Sequence, residues 1–214
     1  MLATAFGALA AAWSPAANAS VSADVLRQTR GAAHDPDWPC IQRKVPELSV
    51  SAMWQGPSVE GALAHWQEDR DIAALVRELS SRRVPLDAAK NQIENFAAEL
   101  DAGEKAAKLT LLFAGLFQTL DRERGEIIVG IERYARKQVA AAEDIRARQS
   151  ALSDLAATDP GRAALMTEQL VTETRIFNER RESLSFVCET PIIVEQRLFE
   201  LARAIQAELP KTAP

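Results

Sequence analysis

Between Glu104 and Leu209 the sequence carries two long stretches of helical periodicity that meet at "TDPGR", Thr158 to Arg162. No other feature restricts the fold as tightly. In the second stretch Met166, Leu170, Phe177, Leu184, Val187, Val194, Leu198, Leu201 and Ile205 recur at three- and four-residue steps or their sums. That spacing gathers apolar side chains on one helix face. In the first stretch, Glu104 to Ala157, the same spacing links Phe113, Leu116, Leu120, Ile127, Ile131, Tyr134, Gln138, Ala142, Ile145, Gln149 and Leu152. Pro and Gly at the junction mark a turn. The pattern predicts a long antiparallel hairpin over 104–209, each arm reaching roughly 70 to 80 Å if unbroken. Gln138 and Gln149 on the stripe predict a thin coiled-coil tip that buries little. Pro191 removes a backbone donor and crowds the preceding turn, which predicts a kink just before it. Gly125 and Gly130 predict a bend near "DRERGE". Glu173 and Arg180 sit where apolar residues are expected, so each is either solvated or paired across the interface.

The hairpin needs a base. "LTLLFAGLFQTL", Leu109 to Leu120, is apolar on nearly every side, the mark of a helix packed all round by others. Pro57 to Leu79 and Leu86 to Leu100 show helical spacing and supply those neighbours, with Asp87 after Pro85 near a helix start and "AGE" at 102–104 as the next turn. Val21 to Gly31 reads as one more short helix. No strand pattern is present. Phe177, Phe186 and Phe199 are expected in the core, and charge runs such as "DRERGE" and "ERRE" on solvated faces. With 214 residues, 47% of them apolar, the chain can build one good-sized core. The predicted fold class is all-α: a helical base with a long antiparallel coiled-coil hairpin and an extended Pro/Trp-rich N-terminal arm.

The first nineteen residues carry no charged side chain, run apolar from Leu2 to Trp13, and end in Ala17-Asn18-Ala19. A small-x-small site after an apolar run predicts a secretory signal peptide over 1–19, although no Lys or Arg precedes the run. The remaining organisation is then an N-terminal helix and extended arm over 20–57 and a helical domain over 58–214. The apolar run is shorter than the roughly 20 residues of a membrane span, so no transmembrane anchor is expected after cleavage. Export to the periplasm or beyond gives the two cysteines, Cys40 and Cys188, a meaning. In an oxidising compartment, and without a CxxC pattern, they predict a disulfide that clamps "HDPDWPCIQRKVPELSV" onto the second hairpin arm.

Chemistry is sparse. The net charge of −5 removes the footprint of nucleic-acid binders, which gain affinity by displacing counterions with Lys and Arg. HExxH, GxSxG, P-loop and GxGxxG signatures are all missing. His34 beside Asp35 and Asp37 is read as a solvated turn rather than a metal site, and no catalytic residue, metal or cofactor is predicted. Trp38 in "DWPC" and Trp54 in "MWQGP" do not follow from helix packing. Either they cap the base from outside, or they serve with Arg43 and Lys44 as anchors for a partner. His65 and Trp66 are the candidates for lining a ligand pocket in the base. The expected function is a non-enzymatic, exported interaction protein, an adaptor or assembly factor for another exported or envelope protein. A homodimer is compatible with this reading. The alternative is a helical-bundle sensor or carrier of a small ligand.

Overall fold

The computed structural model describes Asp35 and residues 37–210; the expected signal peptide, the helix expected over 21–31, and His34 lie outside the described residues. By its contacts the chain divides after Pro36, so residues 37–57 belong to the same unit as the helical domain. The helices are α1 (Val50–Met53), α2 (Glu60–His65), a 3-10 turn (Trp66–Glu68), α3 (Arg70–Ser80), α4 (Leu86–Glu99), α5 (Lys105–Thr158) and α6 (Pro160–Ala207). The described residues are all-α.

Only Asp159 separates α5 from α6. Its carboxylate accepts the backbone N–H of Arg162 at 3.0 Å, and Pro160 opens α6 where a missing N–H costs nothing. Ion pairs join Lys105 to Glu208, Arg124 to Glu195, and Arg148 to Glu173. The two long helices therefore run antiparallel along each other. Glu173 resolves as a pair across their interface, while Arg180 is exposed and its carbonyl accepts the Tyr134 hydroxyl at 3.1 Å. Both helices are continuous, α5 through Gly125 and Gly130 and α6 through a buried Pro191.

The core lies where α5 is apolar all round. Leu109, Leu112, Phe113, Leu116 and Leu120 meet Ile72, Val76 and Leu79 of α3, Ala89 and Ile93 of α4, and Val194, Leu198, Leu201 and Ile205 of α6. Gly115 lets this packing close. A Cβ there would stand 2.6 Å from Val76 Cγ2 and 2.9 Å from the Trp66 ring. Arg197, buried on α6, donates from Nε and Nη2 to the Leu79 carbonyl at 2.9 and 2.7 Å and from Nη1 to Val84 at 3.0 Å. It thereby satisfies the Leu79 carbonyl, which the end of α3 leaves without a helical partner, and the Val84 carbonyl in the connection to α4.

Two sequence expectations need correction. Residues 57–79 do not form one helix, because Asp69 accepts the N–H groups of Asp71 and Ile72 at 3.1 Å and starts α3 afresh, while Trp66 turns into the core. Phe186 and Phe199 are not core residues: both are exposed, as is Val187 on the predicted stripe. The stripe on α6 faces α5, and the base helices cover only part of the remaining surface.

Candidate functional site

The arm from Asp37 to Leu48 is fastened at several points. Cys40 and Cys188 form a disulfide with their Cα atoms 5.6 Å apart. Around it, Trp38, Ile128 and Ile131 build a small second cluster. Trp38 is only 7% exposed and donates from Nε1 to the Gln42 carbonyl at 2.7 Å, while Gln42 donates onward to the carbonyl of Cys188. Lys44 pairs with Glu132, and Arg136 reaches Asp37 at 2.8 Å. Buried Arg124 donates to the Val45 carbonyl at 2.6 Å, and the Leu48 N–H reaches Asp121 at 3.0 Å. These anchors come from α5 as much as from the disulfide.

Trp54 is 6% exposed, stacked on Phe113 with ring centroids 4.2 Å apart, and its Nε1 donates to the Pro57 carbonyl at 2.7 Å. Both tryptophan rings are packed, so each leaves little of its surface bare. Lys44 is committed to Glu132, which leaves Arg43 exposed, beside a fully exposed Ile41. The structure does not bring Trp38 and Trp54 together. They belong to separate clusters.

His65 and Trp66, adjacent in sequence, also part company. His65 is exposed and bonds Glu68 at 2.8 Å; Trp66 is buried in the core, its Nε1 donating to Gln118 at 2.8 Å. The two side chains therefore lie in different surroundings. Among the described residues no three His, Cys, Asp or Glu side chains stand close enough to hold a metal ion, and no helix is long and apolar enough to cross a membrane.

Two surfaces were not singled out by sequence reasoning. On the distal part of the long helix pair an open groove of about 680 Å³ runs beside α6, bordered by Leu152 of α5 and by Thr167, Leu170, Val171, Thr174 and Asn178. Val171 is 66% exposed. Beyond the base, among the described residues, α5 and α6 pack on each other, and Val171 on the flank of α6 is exposed. Arg148 lies between Asp144 and Glu173, donating to Glu173 from Nη1 at 3.0 Å, and locks the register of this part. The second surface is an open cavity of about 730 Å³ beside Ile192, Ile193 and Phe199, reaching Met53 on one side and Leu86 on the other. The signal for it was in the sequence: Phe186, Ile192, Ile193 and Phe199 fall off the stripe, which means apolar residues on two faces of α6.

No family model, curated protein or solved structure matches the chain. Its function must be argued from these surfaces.

Proposed function

We propose that this is a non-enzymatic, exported protein-interaction factor, an adaptor or assembly factor of the periplasm or cell exterior. In this reading α5 and α6 make an antiparallel coiled-coil hairpin projecting from the helical base, and the clamped arm stiffens the point of departure. The groove along the distal helix pair carries the proposal. It is open, has Leu152, Leu170 and Val171 as its apolar residues, and has hydroxyl, amide and charged groups on its rim, the charges from Arg175, Glu179 and Glu182. An amphipathic helix laid into such a groove buries its apolar residues at three- and four-residue steps. Residues 167 to 182, which border it, span about 22 Å of α6, enough for four turns of a partner helix. Export is supported by the disulfide, since such bridges persist in oxidising compartments.

The test shortens the hairpin. Removing two matched heptads, Asp144 to Ala157 and Ala163 to Ile176, keeps "TDPGR" and the register while deleting most of the groove. The shortened protein is expected to fold, by circular dichroism and by retention of the Cys40–Cys188 bridge, and to lose the partner that the full chain captures in its native organism. A folded, shortened protein that captures the same partner equally well contradicts the proposal.

A further inference from the structure

Pro191 interrupts α6 at a level where several other features meet. It is buried between Cys188, which packs with the arm, and Val194, the first α6 residue of the base core. With no N–H to give the Val187 carbonyl, it removes a hydrogen bond from that turn and crowds it. Beyond it the packing of α6 thins: from Val171 to Val187 no residue is buried. α5 is weakened at the same level. Arg124 meets Glu195 and Ile131 packs with Cys188, so Gly125 and Gly130 fall between the contacts that bracket Pro191. A Cβ at either glycine would meet nothing within 4 Å. Close packing therefore does not call for glycine there, and each lowers the stability of its helix.

The arm crosses both helices at this level. On α5 it is held by the Lys44–Glu132 and Asp37–Arg136 pairs, by Arg124 on the Val45 carbonyl and by Asp121 on the Leu48 N–H. On α6 its ties meet at Cys188: the sulfur carries the disulfide, and the carbonyl accepts from Gln42 Nε2 in the turn that Pro191 disrupts. The arm thus straps one weakened helix to the other. Pro39 and Ile41, on either side of Cys40, are exposed, so the bridge lies just under the surface. We propose that the Cys40–Cys188 disulfide is a redox-sensitive latch on a hinge formed by Pro191 of α6 and by Gly125 and Gly130 of α5. Closed, it fixes the distal part of the helix pair against the base. Opened by a dithiol reductant, it frees the turn before Pro191 to loosen and the helix pair to bend there, while the arm stays on α5.

Opening is a thiol–disulfide exchange. One thiolate of the dithiol attacks Sγ of Cys40 or Cys188, its second thiol displaces the mixed disulfide, and the reductant leaves as its own cyclic disulfide with both cysteines as thiols. The test uses the purified full chain alone, before and after dithiothreitol, so its outcome is independent of whether the distal groove takes a partner. Amide hydrogen exchange reads local opening. Reduction is expected to speed exchange over 184–192 of α6 by about tenfold or more and over 124–132 of α5 by about threefold or more, with α3 and α4 changed by less than about twofold. Dyes on non-canonical amino acids at exposed Glu94 and Ala157 should give a wider spread of single-molecule transfer efficiency in the reduced chain. Pro191→Ala restores the missing N–H, so this variant, reduced, should exchange over 184–192 within about threefold of the oxidised native chain. The proposal would be overturned by a bridge that resists dithiothreitol until the whole protein unfolds, by exchange or transfer efficiency unchanged on reduction, by a rise shared equally with α3 and α4, or by a rise that persists in reduced Pro191→Ala.

Discussion

Two glycines of α5 have opposite consequences because their surroundings differ. Replacing glycine by alanine inside a helix normally stabilises it by about 0.5 to 1 kcal/mol. At Gly130 a Cβ would meet nothing within 4 Å, so Gly130→Ala is expected to stabilise the protein by that amount. At Gly115 the new methyl would strike Val76 and the Trp66 ring, both buried. Overpacking costs about 1 to 3 kcal/mol and outweighs the propensity gain, so Gly115→Ala should be destabilising in urea unfolding. Equal effects of the two substitutions would show that Trp66 is not held as described. In sequence both are simply glycines inside a helical stretch. Which one stands under a tryptophan is decided by where α3 packs. Phe199 and Val194 raise the same difficulty: both are apolar residues of α6, and only the placement of α3 and α4 makes one core and the other surface.

At the scale of elements, the start of α3 ties stability to pH. The Asp69 carboxyl is held below the usual carboxylate range, first by its hydrogen bond from Lys108 at 2.7 Å; burial, the next largest effect, opposes this, and the Ile72 N–H, the Lys108 charge and the Asp71 N–H add to the lowering. A carboxyl with a lower pKa folded than unfolded adds stability above its ordinary value, and this is lost as pH falls through the depressed one. The native protein should therefore weaken between about pH 5 and pH 2, and Asp69→Asn, which can still cap the helix, should weaken less over the same range. An equal loss in both proteins would place the acid sensitivity elsewhere. Asp69 also explains why one expected helix became two. In "EDRDI" it reads equally well as a polar position on a continuing helix or as a cap. The periodicity of residues 57–79 does not distinguish these; Trp66 turning toward Gln118 does.

The arm is an element of another kind, extended and held by a covalent bond, a tryptophan and side chains of α5. Closing a loop of 148 residues would stabilise the fold by about 5 kcal/mol in the chain-entropy account, and truncating a buried tryptophan costs about 3 to 5 kcal/mol. Cys40→Ser should lower the melting temperature while leaving helix content intact, since α5 and α6 bury their apolar faces without the arm. Trp38→Ala should be nearly as costly. If Trp38→Ala leaves the melting temperature unchanged, Trp38 does not pack against the disulfide cluster. The pairing of Cys40 with Cys188 was legible from the cysteine count and the expected signal peptide alone. The burial of both tryptophans was not, because "DWPC" and "MWQGP" carry no periodicity to say which way a ring points.

For the whole molecule the sequence revealed the two long helices and the segment they bury, Leu109 to Leu120, because stripes and an all-round apolar run are local signals. Surfaces were less legible. Among the described residues no base helix reaches the groove between Leu152 and Val171, and that depends on element lengths taken together. The proposed function rests on this groove. A photoreactive amino acid placed at Val171 of the full chain, in cells of its native organism, is the most direct measurement, with exposed Glu94 on α4 as the control position. A partner helix seated in the groove predicts one discrete adduct from Val171 with another exported or envelope protein, and none of that mass from Glu94. No adduct at Val171, or the same adducts from both positions, would contradict it.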